Sequence, residues 1–332
     1  MDIVFVHLNT KVPKYLHSNL ESHIKRFPDH RVTLILNKEV PSPRIKNLHI
    51  YQYKPKENWK MLESLYQHEK EFRGNFWLTS TARLFALDEY QESERCEILH
   101  LESDVIISKD FPFRRFSSLS LEMAYPVISD PRGVASIFYL RSRSLARKLS
   151  AHIIQEAQKD RKTTEMLILR SFFDQNSSSI QLLPIGPRNK DAYRGLPEYL
   201  WKKMSDSHTW FGGSFDGVDI GQYFFGTDPR NRRGKTLFRS DIVNGYANIE
   251  DWSLEYSEER QFVNVSTNIE NDYTKLFSLH LPSKRKNLFS FNKQEKQIIN
   301  FVSKSNSKPT EKIYWSTVFE SAAKSLVRRL RK

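Results

Sequence analysis

Residues 3–36 read IVFVHLNTKVPKYLHSNLESHIKRFPDHRVTLIL, and their pattern indicates the class of fold. The stretch begins with an apolar run at 3–8, continues with apolar residues at helical spacing over 15–27, and ends in a β-rich run at 32–36. A strand, a helix and a second strand in this order are typical of a parallel sheet with crossover helices. The sequence therefore predicts an α/β protein.

The rest of the chain continues this alternation. We expect further strands at 48–53, 97–101, 122–125, 135–140 and 276–281, and helices at 59–70, 76–90, 142–157, 163–173, 293–303 and 314–331. Six of the eleven glycines fall within 212–234, where a tight turn or a backbone close to a ligand would require them. The predicted architecture is a mostly parallel, Rossmann-like sheet flanked by helices, followed by a basic helical extension at the C-terminus.

Length and composition are consistent with a full hydrophobic core. The chain has 332 residues, 39% of them hydrophobic and 27% charged, which favours one large domain or two closely joined ones. The single cysteine, Cys96, excludes an internal disulfide and favours a reducing compartment. Neither a run of eighteen apolar residues nor a signal-peptide pattern occurs, so we expect a cytoplasmic protein without a membrane-spanning anchor.

The positive charge is concentrated at the C-terminus. Residues 283–332 carry 13 Lys and Arg against 3 acidic residues, a surplus of 10 out of a net charge of +13, which leaves +3 for residues 1–282. One helical stripe of the tail is apolar and consists of Trp315, Phe319, Ala322, Leu326 and Leu330. This pattern fits a helix on an anionic membrane surface and equally fits a helix packed on the domain. The first alternative would make the protein peripheral on the cytoplasmic membrane face.

The segment ILHLESDVIISKDFPF, residues 98–113, contains the strongest chemical signal. A short apolar strand runs into Glu102-Ser103-Asp104, and in extended backbone residues two apart point to the same side. Both carboxylates can therefore converge beyond the carboxyl end of a strand, where open α/β sheets bind ligands. Mg²⁺ or Mn²⁺ bridging a diphosphate prefers oxygen ligands of this kind. A solvated acidic turn is the alternative.

The segment resembles the DxD motif of GT-A glycosyltransferases, with Glu102 in place of the first Asp. Three further stretches are similar to bacterial polysaccharide-building members of that class: residues 3–28, residues 75–90 (NFWLTSTARLFALDEY) and the Gly-rich residues 211–231 (FGGSFDGVDIGQYFFGTDPRN). The resemblance covers about residues 1–290. It implies a GT-A domain there, with a nucleotide-sugar half at about 1–140, an acceptor half at about 141–290, and the basic extension at 291–332.

The resemblance also implies roles for individual residues. A late His supplies a third metal ligand in several GT-A enzymes and a following basic residue contacts the diphosphate, which correspond here to His280 and Lys284. The metal ligands are then Asp104, Glu102 and His280, and an imidazole among oxygen ligands favours Mn²⁺ over Mg²⁺. Position in the predicted sheet, rather than the resemblance, adds His7, Asn9 and Thr10 at the end of the first strand and Arg83 on the helix before the acid motif. The residues expected to contact the nucleotide-sugar donor are then His7, Asn9, Thr10, Arg83, Glu102, Ser103 and Lys284.

An inverting transferase needs a carboxylate that takes a proton from the acceptor hydroxyl, whereas a retaining one has no such requirement. Both outcomes stay open. Glu165 is the first candidate base, because in GT-A enzymes an acid before a helix in this region often faces the acceptor. Asp216 and Asp219 in the Gly-rich segment are the others, and they would share a face if residues 215–225 were one helix. Glu165 could instead favour its own helix N-terminus, and Asp216 could be an N-cap.

The sequence as a whole favours a metal-dependent enzyme that moves a sugar from a nucleotide-diphosphate sugar to a glycan or a lipid-linked saccharide. A UDP-sugar is the favoured donor. Two other classes remain as alternatives. A polyanion- or nucleic-acid-binding protein would use the basic tail but leaves the acid motif and the glycines unexplained, so nucleic acid is a disfavoured partner. An inactive GT-A-like binding subunit is conceivable because of the Glu at position 102.

Overall fold

The computed structural model describes residues 1–68, 75–226, 228, 245–267, 270–282, 284, 286–290 and 293–306. The strands are β1 Asp2–His7, β2 Val32–Asn37, β3 Leu48–Tyr53, β4 Ile98–Leu101, β5 Val105–Ile107, β6 Met123–Ser129, β7 Arg132–Gly133, β8 Ile137–Leu140, β9 Ile180–Leu183, β10 Ser214–Phe215, β11 Trp252–Ser257, β12 Phe262–Thr267 and β13 Glu270–His280. The helices are α1 Lys14–Arg26, α2 Glu57–Leu65, α3 Phe76–Glu94, α4 Phe113–Ser117, α5 Arg143–Lys159, α6 Glu165–Asn176, α7 Glu198–Phe211, α8 Asp219–Phe225, α9 Lys286–Phe289 and α10 Gln294–Asn306.

The larger sheet confirms the α/β prediction. Among the described residues it has eight strands in the order β3-β2-β1-β4-β8-β6-β7, with β9 paired to β6. Strands β3, β2, β1 and β4 are parallel to one another, and β6 and β9 are also parallel. Strand β8 is antiparallel to both β4 and β6. The sheet is therefore mostly parallel on the β1 side and mixed beyond β4.

Strand β1 is buried on both faces, which explains its uninterrupted apolar sequence. Ile3 and Phe5 belong to the hydrophobic cluster that contains Leu16 and Leu20 of α1. Val4 points to the opposite face and belongs to the cluster that contains residues of α3. A parallel strand between two layers of helices loses the polar-apolar alternation of a half-exposed strand. Because β1 pairs with β4 in parallel, the carboxyl ends of the two strands lie side by side at one edge of the sheet.

A smaller sheet brings a distant stretch of the chain to the carboxyl end of β4. It runs β10-β13-β12-β11 in the described part of the chain, and β5 pairs with β13. Strands β5 and β13 are antiparallel, with Val105 opposite His280 and Ile107 opposite Ser278. This pairing brings residues 105–107, which follow the acid motif, against a strand near residue 280. Two distant stretches of the chain therefore meet at the carboxyl end of β4.

The helix predicted over residues 215–225 is shorter in the structure. Ser214 and Phe215 form β10, which pairs with β13, and α8 begins at Asp219. The reason is the pairing of the backbone at 214–215 with Leu276 and Ser278, which extends these residues before the helix can start. The condition under which Asp216 and Asp219 would share a helical face is therefore not met.

The C-terminal part of the chain begins with a helix that packs on the domain. Ile298 and Val302 of α10 are buried members of the main core cluster. Arg26 of α1 donates a hydrogen bond from Nη2 to Oε1 of Gln294. The apolar helix predicted at 314–331 lies outside the described residues, as do Ser283, Arg285 and Gly234. Within the described ranges, every helix is too short or too polar to cross a bilayer.

Candidate functional site

The turn between β4 and β5 presents the two acids of the motif at the sheet edge. Glu102 N–H donates to the carbonyl of Ser136, and Val105 N–H donates back to the carbonyl of Glu102 at 3.0 Å. Leu281 N–H donates to the carbonyl of Asp104 at 2.8 Å. The backbone of the turn is thus bonded on both sides, and the side chains of Glu102 and Asp104 are left to face the smaller sheet.

Asn19 of α1 also binds the backbone of this turn, and the sequence analysis did not predict it. Its side-chain amide donates to the carbonyls of Ser103 at 3.1 Å and Val105 at 2.8 Å, and the residue is fully buried. The hydroxyl groups of Ser103 and Tyr15 are 3.1 Å apart. A polar residue on the apolar stripe of α1, between Leu16 and Leu20, was the available signal, because a buried amide needs hydrogen-bond partners.

His280 meets both acids of the motif. Its Nε2 lies 3.1 Å from Oε2 of Glu102 and 3.2 Å from Oδ1 of Asp104. Its Nδ1–H donates to the carbonyl of Gly217 at 3.3 Å, which orients the ring. Burial acts to lower the pKa of His280, but the carboxylates of Asp104 and Glu102 outweigh burial and raise the pKa to about 9. A pKa of about 9 keeps the imidazole protonated near neutral pH, and it pairs with both acids.

These three side chains fit a divalent metal. One ligand atom from each of Glu102, Asp104 and His280 lies within 4.8 Å of the others. Bonds of about 2.1 Å to a six-coordinate cation separate neighbouring ligands by roughly 3 Å, which matches the spacing between Nε2 and the two carboxylate oxygens. A hydrogen bond from Nδ1–H to a backbone carbonyl is the usual outer contact of a metal-ligating His. The set of two oxygens and one nitrogen could therefore hold a divalent cation.

The remaining oxygens of the two acids are bound by cations. Lys284 Nζ lies 2.9 Å from Oδ2 of Asp104 and 2.8 Å from Oδ2 of Asp228, a buried residue that the sequence analysis did not single out. Burial acts to raise the pKa of Asp104, but Lys284 and His280 lower it well below its usual value. Burial acts to lower the pKa of Lys284, but Asp104, Tyr15 and Asp228 outweigh burial and raise the pKa above its usual value. Both groups are charged at neutral pH.

Arg83 and Glu165 lie next to Glu102. Arg83 Nη2 is 2.5 Å from Oε1 of Glu102 and 2.6 Å from Oε1 of Glu165. Glu165 begins α6, whose N-cap is Thr164, and burial raises its pKa to about 6 despite the opposing effect of Arg83. Arg83 therefore links the predicted base, Glu165, to the predicted metal ligand Glu102.

Asp216 serves the backbone around His280. It is fully buried, and its carboxylate accepts hydrogen bonds from the N–H groups of Ile220 at 3.1 Å, Gly221 at 2.8 Å and His280 at 2.9 Å. Burial raises its pKa to about 6. All of these bonds are to backbone amides, so this carboxylate fixes the start of α8 against the end of β13.

The remaining predicted site residues are Asp219, which begins α8, and His7, Asn9 and Thr10 at the end of β1. Burial and the neighbouring Asp216 raise the pKa of Asp219 to about 7, which leaves it partly protonated near neutral pH. His7 Nε2 is 2.8 Å from the carbonyl of Lys11, and burial lowers the pKa of His7. Asn9 is half-buried and Thr10 is exposed. His7 is the last residue of β1, the neighbour of β4, and Asn9 and Thr10 follow it, so these residues lie at the edge where the donor is expected.

Comparisons with known proteins give matches to solved structures only; the chain matches no protein-family model and no curated protein. The galactosyltransferase LgtC, in complex with donor and acceptor sugar analogs, is 14% identical over 62% of this chain and 84% of its own, with a TM-score of 0.44. The PaToxG glycosyltransferase is 10% identical over 64% and 85%, with a TM-score of 0.41. Mouse xyloside xylosyltransferase 1 is 8% identical over 63% and 91%, with a TM-score of 0.35. All are glycosyltransferases, the class that the sequence motifs resemble.

Proposed function

We propose that the protein is a glycosyltransferase that moves a sugar from a nucleotide-diphosphate sugar to a glycan or lipid-linked saccharide. A hexose is the favoured sugar. The observation that carries the proposal is the meeting of Glu102 Oε2, Asp104 Oδ1 and His280 Nε2 at the carboxyl end of a strand in an α/β sheet. This is the edge at which such sheets bind nucleotides. The geometry supports a metal-assisted reaction on an anionic substrate.

The leaving group explains the charges around these atoms. A nucleoside diphosphate leaves with negative charge, and a divalent cation bound by Glu102, Asp104 and His280 would neutralise that charge. Lys284 adds a second cation beside Asp104, and its ammonium group pairs with Asp104 and Asp228. An ammonium group has three N–H donors, so we propose that the third binds a diphosphate oxygen while both pairs are kept. We take Mn²⁺ as the favoured metal and Mg²⁺ as the second choice, because an imidazole completes the ligand set.

The donor and acceptor occupy opposite sides of this centre in the proposal. His7, Asn9 and Thr10 line the edge next to β4 and are proposed to contact the nucleotide, most simply of a UDP-sugar. The acceptor is proposed to lie towards residues 141–290, with Glu165 as the base for an inverting transfer. A carboxylate whose pKa burial raises to about 6 accepts a proton more readily than an ordinary glutamate at neutral pH. A role in bacterial polysaccharide synthesis follows from the sequence resemblance.

Calorimetry with a panel of UDP-, GDP- and CMP-sugars, each with and without Mn²⁺, tests the proposal. We expect one donor to bind only with the metal, and Asp104→Asn to abolish that binding. Asp206→Asn, on the exposed side of α7, is the matched control and should bind as the wild type does. Metal-dependent binding without turnover on any acceptor would indicate an inactive binding subunit. Absence of binding to every donor would refute the proposal and favour a polyanion-binding protein.

A further inference from the structure

Arg83 has two acidic partners inside the protein. Its Nη2 is 2.5 Å from Oε1 of Glu102, and 2.6 Å and 2.7 Å from the two oxygens of Glu165. The three side chains are 12%, 19% and 7% exposed. A buried guanidinium between two carboxylates is already neutralised, and moving it to another anion would leave buried charges unpaired. The contacts of Arg83 are thus directed at Glu102 and Glu165, and not at the donor phosphate that its place on the helix before the acid motif suggested.

The contact with Arg83 determines which oxygen of Glu102 faces the metal centre. Oε1 is held by Arg83, and Oε2 lies 3.1 Å from His280 Nε2. The carboxylate therefore spans the distance between the two side chains and presents one oxygen to the ligand set. An aspartate at this position would be one methylene shorter and could not reach both.

We propose that Arg83 is a positioning residue of the metal centre, which holds Glu102 as a one-oxygen ligand and holds Glu165 beside it. This inference rests on the proposed function, because it concerns the same metal. It also accounts for the Glu at position 102, where the resembled motif has Asp: the longer side chain bridges Arg83 and His280. Loss of a residue that orients a metal ligand typically lowers metal affinity by about 10- to 100-fold.

Simple electrostatics predicts the opposite effect of removing Arg83. A cation next to the site repels Mn²⁺, so its removal alone would strengthen metal binding. The double variant Arg83→Gln/Glu165→Gln removes one positive and one negative charge and leaves the local net charge unchanged. It also avoids a buried, unpaired Glu165, so it has the better prospect of folding. Relative to Glu165→Gln, the double variant lacks one positive charge, which by itself would strengthen metal binding. A loss of metal affinity between these two variants therefore reports the lost orientation of Glu102.

The experiment is calorimetric titration of the full chain with MnCl₂ in the absence of any nucleotide sugar. It compares the wild type, Glu165→Gln, the double variant, Arg83→Lys and Glu102→Asp. Arg83→Lys keeps the charge but replaces the rigid guanidinium, whose Nη2 contacts both carboxylates, with a flexible ammonium group. Arg260→Lys is the control, because Arg260 is also buried and ion-paired, at 2.8 Å from Asp110, outside the site. Circular dichroism checks that each variant is folded.

We expect the double variant to bind Mn²⁺ about 10- to 100-fold more weakly than Glu165→Gln. Arg83→Lys and Glu102→Asp should also bind more weakly than the wild type, and Arg260→Lys should bind equally well. Equal Mn²⁺ affinity of the double variant and Glu165→Gln would overturn the positioning role. If donor binding alone were then lost, Arg83 would be a donor contact. No Mn²⁺ binding by the wild type would instead refute the proposed metal centre, and with it the role of Arg83.

Discussion

Replacing Gly221 with alanine would test how tightly α8 is packed against the end of β13. A Cβ atom at this position would lie 1.4 Å from the carbonyl oxygen of His280, 2.6 Å from its carbonyl carbon and 3.0 Å from Oδ2 of Asp216. Since unbonded heavy atoms need about 3.5 Å, the two backbones must separate by about 2 Å. That displacement breaks the bonds from the N–H groups of Gly221 and His280 to Asp216.

The expected cost has two parts. Overpacking a tight site costs about 1–3 kcal/mol, and hydrogen bonds to a charged group contribute about 1.5–3 kcal/mol. We therefore expect Gly221→Ala to lower the free energy of unfolding by on the order of 3–5 kcal/mol. His280 moves with the strand, so Mn²⁺ affinity should fall at least about tenfold.

Gly212→Ala is the matched control for this variant. Gly212 has a φ of 74° but no atom within 4 Å of an added Cβ, so alanine there adds backbone strain without a clash. Its cost should be about 1–2 kcal/mol, with Mn²⁺ affinity unchanged. Urea unfolding followed by tryptophan fluorescence and Mn²⁺ calorimetry measure both quantities. A Gly221→Ala protein as stable as Gly212→Ala, with wild-type Mn²⁺ affinity, would refute the reasoning.

Three further predictions concern the base, a buried histidine and the basic tail. Glu165→Gln should lower kcat by about 10²- to 10⁴-fold if Glu165 is the base, and an unchanged kcat would remove it from that role. Burial lowers the pKa of His23 to about 3, so between about pH 6.5 and pH 3 the unfolded chain binds the extra proton and stability falls with acidification by about 1.4 kcal/mol per pH unit. His23→Leu should therefore lose less stability than the wild type between about pH 6 and pH 4.5 in urea unfolding, whereas parallel pH profiles would contradict the buried neutral state. If the basic tail lies on a membrane surface, a chain that ends before Trp315 should no longer co-sediment with anionic vesicles, and failure of the full chain to bind them would exclude that alternative.

Hydrophobic spacing in the sequence predicted many of the individual strands and helices. The apolar run before residue 8, the helical spacing after Tyr15 and the strand near residue 98 all appear, with bounds shifted by a few residues. Strand β11 was not predicted, although Trp252 and Leu254 are buried and Ser253 and Glu255 are more exposed, which is the alternation of a half-buried strand. Helix α7 was also missed.

Long-range contacts set the limit for the site. The carboxylates of Glu102 and Asp104 could be placed at a strand end from their spacing alone. His280, 176 residues after Asp104, entered only through the resemblance, because the pairing of β5 with β13 that joins them has no local signal. The same holds for the contact between Arg83 and Glu165, whose helices are distant in sequence. The role of Asp216 depended on where α8 begins, and that in turn depends on the pairing of β10 with β13.

The most direct test of the central claim is anomalous diffraction from crystals of the protein with Mn²⁺ and the nucleoside diphosphate of the donor found by calorimetry. We expect a manganese peak about 2.0–2.3 Å from Glu102 Oε2, Asp104 Oδ1 and His280 Nε2, with the diphosphate on its open side. A structure in which the nucleotide binds elsewhere, or in which Mn²⁺ contacts none of these three atoms, would contradict it.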